Sequence, residues 1–228
     1  MKTRVSVIIS LNRERRYLED CIDSVLEQSI NDLELTEDYE RNVQVILVDN
    51  PNHTSEIAQR YARDYSNVEY LCGKDHEAAN NLNYASEFAQ GDYIIFLDSN
   101  VKLTPKAFEM MYIAAIRDDS EMVTGNVLFF NSKNYSESPI HVKAFSGNKQ
   151  ISHITESPEL LYDATMINKL FKRSFWKEHE FQFSKQIAYD DLLAFRCHFH
   201  ANKISRIFED CFIWIVFNGI PHSSNSSG

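Results

Sequence analysis

Four short apolar runs, Val5–Ile9, Val43–Val48, Val68–Leu71 and Tyr93–Leu97, alternate with segments of helical periodicity, and this alternation constrains the chain more than any other feature. Leu18, Cys21, Ile22, Val25 and Leu26 follow the spacing of an amphipathic helix. Ile57, Ala58 and Tyr61 begin a second stripe, and Ala78, Leu82, Ala85 and Ala89 mark a third before Gly91 breaks it. Continuous apolar strands joined through helices build a parallel sheet covered on both faces. The expected fold class is therefore α/β, a Rossmann-like and mostly parallel central sheet flanked by helices.

The second half is less regular. Thr104–Pro105 reads as a helix start, with Phe108, Met111, Tyr112, Ala115 and Ile116 on its buried face, and Met122–Phe130 reads as a fifth strand. Asn131–Ser157 is polar and lacks a period, so it reads as a long excursion with one short strand at Ile140–Phe145. Ser157–Pro158 repeats the capping signal. Helices are expected over Leu160–Leu170 and Asp191–Ala201, and strands over Ile204–Phe208 and Phe212–Phe217.

At 228 residues the chain has room for one sizeable core. One domain is expected over residues 1–222, divided into a ligand-binding half at 1–130 and a second half at 131–222, with a disordered tail at 223–228. A net charge of −10 argues against a general nucleic-acid footprint. Lys169, Lys172, Arg173 and Lys177 form a local basic group, read either as a solvated helix face or as facing an anionic ligand. No apolar run is long enough to cross a bilayer. Cys21, Cys72, Cys197 and Cys211 show no zinc spacing, and no secretory signal precedes Val5, so free thiols and a cytoplasmic location are expected.

Ligands of open parallel sheets bind beyond the carboxyl ends of the strands. The residues there are Ser10 and Asn12 after the first run, Asp49 and Asn50 after the second, and Asp98, Ser99 and Asn100 after the fourth. Asp49 alone also reads as a turn or helix cap. An oxygen-rich group such as Asp98–Ser99–Asn100 suits a hard divalent cation, Mn²⁺ or Mg²⁺, bridging a diphosphate.

Val5–Asn12, Tyr17–Gln28, Val45–Asn50 and Gly91–Asn100 resemble, in order and spacing, successive blocks of the family-two glycosyltransferases of GT-A fold. Asn168–Phe175 and Phe183–Leu192 resemble the acceptor-side segment of bacterial members that decorate surface polysaccharides and teichoic acids. The resemblance implies transfer of a sugar from a nucleotide diphosphate donor to a glycan or polyol-phosphate acceptor at the inner face of the membrane. It maps Asp98 and Asn100 onto the metal-holding Asp-x-Asp, and Asp49 and Asn50 onto the pair that reads base and ribose. Asp191 falls on the catalytic base, with Asp190 before it. The same two aspartates also read as caps of the helix that follows. Lys169 and Trp214 are further acceptor-side candidates, although Trp214 reads first as core.

The departures cluster on the donor side. Leu11 stands where an aromatic is usual, Asn50 and Asn100 replace aspartates, and Ala79–Asn80–Asn81 lacks the arginine of its block, leaving Asn80 as the donor-side candidate there. Each change removes charge or stacking. Two functions follow, an active transferase with an altered donor site, or a non-catalytic module that binds a partner glycosyltransferase or a glycan.

Overall fold

A computed structural model describes residues 3–11, 15–32, 41–51, 55–185 and 190–216. The first four strands are β1 (Thr3–Ser10), β2 (Arg41–Asp49), β3 (Val68–Cys72) and β4 (Gly91–Asp98). Every residue of β1 is buried, as an interior strand covered on both faces requires. The covering helices are α1 (Leu18–Leu26), α2 (Glu56–Asp64) and α3 (Ala78–Ser86). All three fall on the periodic stripes read from the sequence.

The remaining strands are β5 (Val101–Leu103), β6 (Met122–Phe130), β7 (Tyr135–Glu137), β8 (Ile151–Ser152), β9 (Lys169–Lys172) and β10 (Ile204–Ile215). The helices among them are α4 (Ala107–Asp118), α5 (Pro139–Ala144), α6 (Arg173–Glu178) and α7 (Asp191–His200). The sheet runs β3-β2-β1-β4-β9-β6-β10-β5, with β7 beside β6 and β8 beside β10. Pairing is parallel from β3 to β4 and antiparallel where β9 enters between β4 and β6. The sheet is thus mixed, with β6 and β10 again parallel beyond β9.

Several expectations are corrected. Ile140–Ala144 lies in helix α5 rather than a strand, with Phe145 at its C-cap and Pro139 at a first-turn position where its missing N–H costs nothing. The helix expected over Leu160–Leu170 is only a 3-10 turn at Pro158–Tyr162 followed by irregular chain. There Asp163 accepts from the Thr165 backbone N–H and hydroxyl, a local side-chain bond that competes with helix. Thr104 does not cap α4; its hydroxyl donates to the Asp210 carbonyl across to β10. The two final strands form one, β10, with register shifts around Asp210; Phe217 and the tail at 223–228 lie outside the described residues.

The polar excursion is tied down from two sides. Arg206, almost wholly buried on β10, donates to the carbonyls of Lys149 and Ala144, to Glu159 at 2.9 Å and to the Ser157 hydroxyl. Asp163 is the second anchor. It pairs with Lys169 Nζ at 2.7 Å and His141 Nε2 at 3.4 Å, and accepts from Asn168 Nδ2 at 2.8 Å, joining α5, the 3-10 turn and β9. Burial opposes its ionisation, yet Lys169 and His141 hold the carboxyl well below the usual range.

Candidate functional site

Strand register brings the carboxyl ends together. Ser10 of β1 stands opposite both Val48 of β2 and Asp98 of β4, so Ser10, Asp49 and Asp98 share one rim of the sheet. Asp49 is buried, and its carboxylate accepts from the backbone N–H of Asn50 at 2.9 Å and of Ser55 at 3.1 Å. Ser55 in turn caps α2 through the Ala58 N–H. The turn-closing role foreseen for Asp49 is therefore present, and it orients the carboxylate at the rim.

Asn81, not Asn80, is the inward asparagine of its block. Asn81 is buried; its Nδ2 donates to Asn50 Oδ1 at 3.1 Å and to the Asp75 carbonyl at 2.7 Å, while its Oδ1 accepts from the Asp75 N–H. Asn80 is exposed and donates to Asp75 Oδ2. Position 81 lies three residues after Ala78 and four before Ala85, on the face already marked as buried, so helical spacing carried the signal. Asn12 lies outside the described residues.

Gly73 completes this wall. A Cβ there would stand 2.3 Å from the Asp49 carbonyl oxygen and 2.5 Å from Asn81 Cγ, closer than atoms pack. Gly73→Ala is expected to cost about 1–3 kcal/mol in urea unfolding. An unchanged midpoint would mean that the wall yields freely.

The segment after β4 turns sharply into β5. The Asn100 backbone carbonyl accepts from Ile215 N–H, and Asn100 Nδ2 donates to the Ile215 carbonyl, both at 3.0 Å. That clamps the amide, and its Oδ1 is left buried with no partner among the described residues. Asp98 is also buried. A buried carboxylate and an orphaned amide oxygen two residues apart fit a cation that prefers oxygen, with diphosphate and water as its other ligands. Among the described residues no group of three or more His, Cys, Asp or Glu stands at ligating distance.

The acceptor-side residues divide. Phe183 packs on Phe96 of β4 with ring centroids 4.7 Å apart, and its backbone exchanges two bonds with the Asn83 side chain of α3. This fixes the approach to α7. Asp190 is fully buried and caps α7, accepting from the N–H groups of Leu193, Ser184 and Lys185. Asp191 is the exposed neighbour, its side chain 69% accessible and 3.4 Å from Lys185 Nζ.

Lys169 is not on a surface face. It is wholly buried on β9, and burial lowers its ammonium against the opposing pull of Asp163. The basic group is thereby dispersed: Lys172 pairs with Asp119, and Arg173 donates to the Gly91 carbonyl. Trp214 is core, edge-on to Phe129 of β6. All four cysteines are free, and among the described residues no helix is long and apolar enough to cross a membrane.

The family model for glycosyl transferase family 2 matches residues 6–180. A poly(ribitol-phosphate) beta-glucosyltransferase of Bacillus spizizenii is 24% identical over 97% of this chain and 33% of its own length. A cholesterol galactosyltransferase of Borreliella burgdorferi is 22% identical over 99% of this chain and 63% of its own. Among solved structures, S. aureus TarS 1-349 in complex with UDP-GlcNAc superposes with a TM-score of 0.77 at 18% identity, covering 97% of this chain and 61% of that one. That likeness shows a common GT-A fold. The chain thus spans between a third and two thirds of the length of these relatives.

Proposed function

This chain belongs to glycosyl transferase family 2, and we infer from its rim that it transfers a sugar, with inversion, from a UDP-sugar to a hydroxyl of a bacterial surface glycan or polyol phosphate. The observation that carries this reading is the register that aligns Ser10, Asp49 and Asp98 at one end of the parallel strands, beside the Asn50–Asn81 pair. Asp49 and Asn50, braced by Asn81, would hold base and ribose. Ser10 and Asn12 would border the donor, with Asn80 on the outer side of its loop. The UDP-GlcNAc in the TarS complex supports the choice of uridine.

Asp98 and Asn100 would hold Mn²⁺ or Mg²⁺, which when bound neutralises charge on the departing diphosphate. Asp191 accepts the proton of the acceptor hydroxyl as that oxygen attacks the anomeric carbon from the side opposite the diphosphate. Its exposure at the head of α7 leaves it open to an incoming substrate. On this reading residues 1–130 serve the donor and 131–222 the acceptor. A cytoplasmic site of action accords with nucleotide-activated donors.

Thermal-shift titration tests the donor. UDP with Mn²⁺ is expected to raise the melting temperature by about 5–10 °C at a hundredfold excess over Kd, with smaller shifts for GDP and CDP. The engagement of the Asn50 and Asn100 amides within the fold favours the other function, a module binding a glycan or partner transferase. No shift with any nucleotide would decide for that module.

A further inference from the structure

Asp191 borders a cleft of about 360 Å³ between the Leu161–Ala164 segment and α7. Leu161, Ala164, Leu192 and Phe195 give it apolar walls, and Asp163 and His198 lie at its polar side. Leu192 and Phe195 are at least half exposed although they are large and apolar, and Phe195 stacks on the still more exposed Phe199. Apolar walls with a few converging polar groups are what a small-molecule site presents.

The polar side is unusual in having one open acceptor. Asp163 is occupied by bonds from Thr165, Asn168 and Lys169, with His141 Nε2 at 3.4 Å. His198 is almost wholly buried, and its Nδ1 is 2.8 Å from the Ala194 carbonyl. A carbonyl only accepts, so Nδ1 carries the proton and Nε2 is a bare acceptor, buried and without a partner among the described residues. Burial and the Lys169 charge lower this imidazole to about 4, so it is neutral at pH 7. A buried acceptor left unsatisfied costs stability.

Among the described residues no Lys or Arg lines the cleft; Lys169 is spent on Asp163, and Lys185 pairs with Asp191 at 3.4 Å on the exposed side. A phosphate placed there would compete with Asp191 for Lys185, the one cation beside it among the described residues. Resting on the transferase reading above, we propose that this cleft is the acceptor subsite and takes a neutral saccharide rather than a polyol phosphate. One sugar hydroxyl donates to His198 Nε2, a second lies at Asp191, and the apolar face of the ring lies on Leu192 and Phe195. Nε2 is buried, so the half-exposed Phe195 ring, three residues before His198 on α7, would have to turn outward to admit the hydroxyl.

The test is ligand-observed NMR at pH 7 on the whole chain with saturating UDP and Mn²⁺. The probes are the methyl glycosides of glucose, galactose and N-acetylglucosamine, against glycerol 3-phosphate and ribitol 5-phosphate. At least one glycoside is expected to bind, about tenfold more weakly to His198→Leu and Phe195→Ser, with the UDP thermal shift unchanged in both. His198→Leu keeps an apolar side chain of similar size in the core; if it does not fold, the surface variant Phe195→Ser carries the test. Tighter binding of either polyol phosphate than of every glycoside, no glycoside binding, or binding indifferent to the substitutions would overturn the proposal. Failure of the UDP shift in the unsubstituted chain would count against the donor reading alone.

Discussion

Lys169→Met is expected to destabilise the chain by about 3–5 kcal/mol, because it leaves the Asp163 carboxylate buried without its principal countercharge. Lys169 Nζ lies 2.7 Å from Asp163 Oδ2 and also donates to the Thr165 carbonyl and Asn168 Oδ1, all within the core. The double variant Asp163→Asn/Lys169→Met removes both charges together, so its loss in urea unfolding should be smaller than the sum of the single losses. Additive losses would show that the pair is not coupled. The Asp163 carboxyl is lower in the folded than in the unfolded chain, so its stabilisation is complete above the ordinary carboxylate value of about 3.9. It is lost as pH falls through the depressed folded value.

This ion cluster also explains where sequence reading reached and where it stopped. β1 to β4 and their helices were legible because each element announces itself locally, by continuous apolar runs or by a 3.6-residue stripe. The rim residues Ser10, Asp49 and Asp98 followed from the rule that places ligands at strand ends. The excursion after β6 was not legible, because its order comes from polar partners far apart in the chain. Arg206 reaches Ser157 and Glu159, and Lys169 and His141 meet at Asp163. Such pairings leave no periodicity. The same blindness grouped Lys169 with Lys172, Arg173 and Lys177, although it is wholly buried.

Asp191→Asn should lower transfer by about 10²–10⁴-fold while leaving both the melting temperature and the UDP-induced shift in place. The carboxylate is 69% accessible, and its contact with exposed Lys185 at 3.4 Å is of the kind that adds little to stability. Asparagine keeps the shape of the side chain and removes only its capacity to take a proton. The neighbouring substitution Asp190→Ala supplies the contrast. It deletes the cap of α7 and frees the Ser184 and Lys185 N–H groups, so it should cost about 2 kcal/mol or more of stability. Whatever activity Asp190→Ala loses should follow the displacement of α7 and appear in both KM and kcat, whereas Asp191→Asn should act on kcat alone. If Asp191→Asn transferred sugar at the unsubstituted rate while Asp190→Ala did not, the proton would have to be taken elsewhere, and the buried aspartate would be important only for where it holds the helix.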